Sequence, residues 1–322
     1  MPPTPAAPWR DTPRAPGALA LALALVAGLG AAACEPDKGC DSGVDCDTGE
    51  VGAGGIGGED CDGRPGLDAA EGLPLVTALL EAGAYALGSP AGEAGRRPDE
   101  LERTVTLSRS IEVGVAEVSQ AQWAALMDDA PSNQPGCPRC PVEGVAWHDA
   151  ARFANRLSVL DGLEVCYTCT DDAPGAECTS RADPGACLGW RMPTEAEWEA
   201  AARAGSAARW SGADEADPVA WTEENTGRVC AVGGREPNGA ALFDMSGNVW
   251  EWTNDGYGAL DELPTDDPWV PAEGAAAIRG GSWFNDAADA RSASRRSARL
   301  DEATPFLGLR LVRTTDGGLI GG

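Results

Sequence analysis

Cysteine and histidine usage limits the chemistry open to this chain. It carries eleven cysteines and a single histidine, His148. One imidazole excludes every site that needs two, including two-histidine iron centres and HExxH zinc proteases. His148 sits in GVAWHDA, at an expected helix start, and reads as an ordinary surface or packing residue. CPRC (137–140) and CYTC (166–169) each have the spacing of half a zinc site. The competing reading is disulfides, favoured by the export signal described below and by Cys178 and Cys187 nearby. On that reading Cys166, Cys169, Cys178 and Cys187 pin one insertion loop, and Cys137 bonds Cys140 locally. A third stretch, RGGSWFNDAADARSASRR (279–296), combines paired glycines, a tryptophan and Arg279, Arg291, Arg295 and Arg296. It has the look of an active-site wall, or of the frame that once held one.

No Ser–His–Asp set, phosphate loop or paired-acid motif adds a further catalytic centre. The formal charge of −27 repels nucleic acid and anionic surfaces, so no nucleic-acid partner is expected. Eleven tryptophans and forty-two glycines point to an irregular, loop-rich core rather than a helical bundle.

The chain opens as an exported protein. Arg10 and Arg14 precede the apolar run GALALALALVAGLGAAAC, which ends in small residues at Cys34. Alanines before a cysteine resemble a bacterial lipoprotein cleavage box, which leaves Cys34 to carry lipid. The expected divisions are a signal peptide (1–33), an acidic Gly-rich tether (34–66), one folded domain (67–316) and a short tail (317–322). The tether has almost no large apolar side chains with which to build a core. The expected location is the cell envelope, on a lipid bilayer through the N-terminal lipid alone.

The elements that must position these residues are partly legible. TVTL (104–107) and SIEVGV (110–115) read as strands. Ser119 and Gln122 form a capping box that opens a helix, as do Thr194 and Glu197. Ala150, Phe153, Ala154 and Leu157 recur at helical spacing up to Gly162. AAIRGGSW (276–283) and LGLRLVR (307–313) read as further strands.

Five blocks in this order resemble the formylglycine-generating enzyme family, also called the sulfatase-modifying factor domain. They are YALGSPAGEAGRRPDELERTVTL, EVGVAEVSQAQWAALM, CPVEGVAWHDAARFANRLS, GWRMPTEAEWEAAARAG, and ALFDMSGNVWEWTND with RGGSWFNDAADARSASRR and LGLRLVR. The resemblance spans roughly Leu73 to Thr315. It implies a single α+β domain, a C-type-lectin-like variant with much irregular structure.

The family's oxidases bind Cu(I) through two cysteines after the GGS motif and convert a substrate cysteine to formylglycine. The matching positions here are Asn285 and Ala290, and no cysteine follows Cys230. Soft thiolates select Cu(I), so copper is not expected. The resemblance also implies a structural calcium at Asp244, Gly247, Val249 and Glu251, where two carboxylates and two backbone carbonyls supply hard oxygen ligands. A second calcium site of the family begins at Asn225, beside Thr226, but the segment after it is shorter here. Trp198, Trp250, Trp252 and Trp283 are expected in the core. Arg191, Arg279 and Arg310 are expected to pair with buried acids such as Glu195, Glu199 and Glu251. Trp283, Asn285, Arg291, Arg295 and Arg296 are expected along a cleft open to an acidic ligand.

The resulting expectation is a surface-anchored binding or scaffold module that recognises a peptide, a glycan or an envelope protein. The alternatives are a different enzyme activity in the same cleft, or a family oxidoreductase that modifies a protein cysteine by an unforeseen arrangement.

Overall fold

The computed structural model describes residue 61 and residues 66–315. The expected leader, the lipid-anchor candidate Cys34, most of the expected tether and the last residues lie outside the described residues.

The described chain is built from short strands around three α-helices. Thr77–Leu80 pairs antiparallel with Ile111–Gly114, which pairs with Val312–Thr314, which in turn pairs with Trp190–Arg191. A second four-stranded sheet runs Arg295–Arg299, Ala275–Arg279, Trp250–Gly256, Leu307–Gly308. The run LGLRLVR therefore does not form one strand. Its two ends belong to different sheets, with Arg310 at the crossing.

The helices follow their sequence signals closely. Helix α1 (Gln120–Ala124) has the expected capping box: Gln122 N donates to Ser119 Oγ at 3.1 Å, and Ser119 N donates to Gln122 Oε1 at 3.0 Å. Helix α2 (Trp147–Leu160) buries Ala150, Phe153, Ala154 and Leu157 and gives way to Gly162 at φ 70°. Helix α3 (Glu195–Arg203) has the Thr194–Glu197 box and ends through left-handed Ala204 and Gly205. Such a cap contributes about 1 kcal/mol. Every residue of α3 is buried, so it is a core helix whose acids must find internal partners.

One cluster of core residues gathers Trp123, Trp147, Phe153, Trp190, Trp250 and Trp252. Another surrounds Trp198 with Val105, Leu107, Ile111, Val113 and Val312. Trp283, expected in the core, is only partly buried and packs on a smaller cluster with Cys137 and Cys140.

Among the described residues, four disulfides fasten this frame. Cys166–Cys187 and Cys169–Cys178 pin the insertion after α2, and Cys137–Cys140 closes locally, all as expected. With those cysteines bonded, the zinc alternative for CPRC and CYTC falls away. Cys61–Cys230 was not foreseen; it ties a residue of the expected tether to the segment before Asp244. Among the described residues, no helix is long and apolar enough to cross a membrane.

Candidate functional site

The strand Ala275–Arg279 ends at two left-handed glycines, Gly280 at φ 98° and Gly281 at φ 76°. They fold the chain back on itself. A Cβ on Gly281 would lie 2.8 Å from Ala290 Cα, so only glycine permits that approach. Ala290 is fully buried beside Trp210, Val219 and Ala220. Asn285 is wired into the same turn. Its Oδ1 accepts from Trp250 Nε1 at 2.8 Å and from Ser282 Oγ at 2.6 Å, and its Nδ2 donates to Asp289 at 3.3 Å. Both positions matching the oxidase cysteines therefore serve the packing of the turn.

The arginines after this turn do not line an open cleft, which corrects the sequence reading. Arg291 is fully buried, 2.6 Å from both Glu93 and Glu100. Arg295 holds Glu195 through two bonds of 2.6 and 2.7 Å, and its guanidinium lies 4.7 Å over the Tyr257 ring. Arg296 keeps part of its side chain exposed but pairs with Asp289, which Arg97 also holds. The cause is the all-buried helix α3 and the acid-bearing segment 93–100, whose carboxylates require internal cations. Burial pushes the carboxyls of Glu195 and Glu100 up, but Arg295 with Arg279 and Arg291 outweigh it and hold both below the ordinary carboxylate range. Arg279 reaches Glu199 and Glu195, and Arg310 reaches Glu251, as expected; Arg191 takes Glu197.

The candidate calcium residues form a buried acidic turn. Asp244 and Asn248 adopt φ 56° and 59°, and Gly247 follows suit at 85°. Glu117, absent from the sequence reading, anchors the turn by accepting from Val249 N at 3.0 Å and Asn248 Nδ2 at 2.8 Å. Asp244 accepts from Gly233 N through one oxygen, while its buried Oδ1 has no hydrogen-bond partner. Glu251 accepts from Trp198 Nε1 at 2.7 Å and from Arg310 at 2.8 Å. Three buried carboxylates thus share this region with Arg310. Burial, reinforced by Asp244 and Glu251, pushes Glu117 well up. Burial likewise pushes Asp244 up to about 6.

The residues fit a hard cation in part. Asp244 offers an orphaned oxygen, whereas the Glu251 carboxylate is already occupied by Arg310 and Trp198. No cluster of three or more His, Cys, Asp or Glu among the described residues is placed to hold a metal. Asn225 does not join this turn through its side chain. It closes its own loop, accepting from Thr222 N at 2.9 Å and donating to Ala220 O at 2.9 Å.

An exposed aromatic ledge borders the glycine turn. Phe284 is 55 % exposed and stacks on Phe306 with centroids 5.7 Å apart. Trp283 meets Phe284 edge-on at 5.5 Å and donates its indole N–H to Pro305 O at 3.2 Å. Exposed Glu223, Glu224 and Asp286 lie on adjoining backbone: Glu223 N donates to Asn285 O at 2.9 Å. Phe284 stood in the sequence beside GGSW, yet nothing there showed which way its ring would point.

Few helices, many short strands and a buried acidic turn beside a glycine-folded loop define an α+β domain of the loop-dominated kind. The chain belongs to the family of the sulfatase-modifying factor enzyme 1-like domain, which it matches over residues 76–315. Chaperone protein LppX of Paenibacillus barcinonensis is 30% identical over 243 residues, covering 66% of this chain and 83% of that protein. The formylglycine-generating enzyme of Streptomyces coelicolor is 31% identical over 221 residues, covering 62% of this chain and 60% of the enzyme. Among solved structures, Treponema denticola variable protein 1 superposes with a TM-score of 0.67 at 29% identity, over 76% of this chain and 96% of that one.

Proposed function

We propose that the protein is a cell-envelope binding or scaffold module of this family, exported and lipid-anchored through Cys34, that has given up copper-thiolate oxidation. One observation carries the reading. The positions matching the oxidase thiols are Asn285 and Ala290, and both are built into the packing of their turn. A relative that is itself named a chaperone supports a role in engaging another protein. The Trp283–Phe284–Phe306 ledge offers such a partner an apolar face rimmed by acids. Aromatic faces of this kind take sugar rings or peptide side chains alike. The test is incubation with Cu(I), oxygen and a cysteine-containing sulfatase-type peptide. The expected result is an intact substrate thiol; an aldehyde product overturns the reading.

The acidic turn is proposed to hold one structural calcium through Asp244, Gly247, Val249 and Glu251, with the Glu251 carboxylate shared between the ion and Arg310. The orphaned Asp244 Oδ1 supports it. Bound calcium would supply positive charge to a turn with more buried acids than bases. Calcium at a hundredfold excess over its Kd should stabilise the fold by about 2.7 kcal/mol. That corresponds to a Tm roughly 5–10 °C higher than in chelator. Identical melting curves in calcium and in chelator would count against the site.

A further inference from the structure

We propose that the Cys137–Cys140 disulfide is a thiol–disulfide exchange site for cysteine-bearing polypeptides outside the cytoplasm. This deepens the binding reading and rests on it for export and for the aromatic ledge.

The four disulfides differ in what they do for the fold. Cys61–Cys230 spans 169 residues, Cys166–Cys187 spans 21, and Cys169–Cys178 spans 9. The last also staples directly opposed residues of a two-stranded ribbon. Cys137–Cys140 has a separation of only 3. Constraint of the unfolded chain grows with loop length, so this bond contributes least of the four.

The turn that carries it is held independently of sulfur. Cys140 N donates to Cys137 O at 3.0 Å. The carbonyls of Pro138, Arg139 and Cys140 accept from Ala121 N (2.9 Å), Val232 N (3.0 Å) and Gln120 N (2.9 Å). Reduction therefore breaks one bond and leaves both thiols facing each other. That is the behaviour of a poised dithiol, and the CxxC spacing is the one redox pairs use.

The two sulfurs also differ in access. Cys137 retains 7% of its surface, whereas Cys140 has none. Cys137 is the less buried of the two, so attack is assigned to its sulfur, with Cys140 as the leaving group. Trp283 packs on the small cluster that holds the pair and links that cluster to the Phe284–Phe306 ledge, where an incoming chain can rest.

The exchange balances as follows. A substrate thiolate attacks Cys137 Sγ, the Cys137–Cys140 bond breaks, and Cys140 leaves as a thiolate that takes up a proton. A second substrate thiolate then attacks the substrate sulfur of the mixed disulfide and releases Cys137. The substrate dithiol loses two electrons and two protons to the pair. A low-molecular-weight disulfide of the glutathione type re-oxidises the pair by the same steps in reverse.

The test equilibrates the full chain in glutathione buffers, alkylates free thiols and maps them by mass spectrometry. The expected result is alkylation of Cys137 and Cys140 at ratios that leave Cys61–Cys230 and Cys166–Cys187 intact, with the melting curve retained. In oxidised glutathione, the wild type should form the disulfide of a reduced dithiol peptide about tenfold faster than background. Cys137→Ser/Cys140→Ser should fall to background, and Cys169→Ser/Cys178→Ser should keep the wild-type rate. Reduction of the pair only together with unfolding, or equal rates for wild type and Cys137→Ser/Cys140→Ser, overturns the proposal.

Discussion

Replacing Arg310 with methionine is expected to destabilise the domain by about 3–5 kcal/mol, the cost of breaking a fully buried ion pair from one side. Arg310 is completely buried and bonds Glu251 through both Nε and Nη2. It also donates to Gly114 O and Phe243 O, each at 2.8 Å. Its removal leaves Glu251 uncompensated near Glu117 and Asp244 and deprives two carbonyls of their donor. Lysine would retain the charge without the fork, so Arg310→Lys should fall between wild type and Arg310→Met. Adding Glu251→Gln to Arg310→Met should recover part of the loss, because the stranded charge disappears. Urea unfolding followed by tryptophan fluorescence measures all four proteins. A loss below about 1 kcal/mol for Arg310→Met would mean that the carboxylate finds water or a proton at little cost.

The second large effect belongs to Cys61–Cys230. Loop-closure entropy for a separation of 169 corresponds to about 5 kcal/mol at 25 °C. Cys61→Ser/Cys230→Ser should therefore lose several kcal/mol, far more than Cys137→Ser/Cys140→Ser. The bond is well placed to matter. Cys230 N donates to Asn248 Oδ1 at 3.0 Å, so the disulfide also steadies the acidic turn. Thermal melting of both double variants without reductant gives the comparison. Equal midpoints would show that the long loop is already closed by packing.

The parts of this fold that rest on near neighbours were legible in the sequence. Both capping boxes and the inward face of α2 depend on residues three or four apart, and the structure reproduces them. The Cys137–Cys140 disulfide belongs to the same class, whereas the pairing within the insertion loop was open in the sequence. The rest depends on partners far along the chain. Arg291 looks like a ligand-binding arginine by its type, but Glu93 and Glu100 lie almost two hundred residues upstream. Glu117 is unremarkable in EVGVAEVS and becomes important only because the turn at 244–249 closes over it. LGLRLVR has the composition of one strand. The need to place Arg310 on Glu251 splits it between two sheets. What the sequence left out was thus the direction of the arginine side chains, which turn to acids far along the chain.

The close approach of Gly281 to Ala290 limits what positions 285 and 290 can hold. A thiol at position 290 would need room beside Trp210, Val219 and Ala220, where none of the alanine surface is exposed. A cysteine at position 285 would remove the oxygen that satisfies Trp250 and Ser282. Either step alone costs stability and restores no copper site, which requires both thiols. Fitting a thiol at either position would first have to displace contacts that the present residues already make.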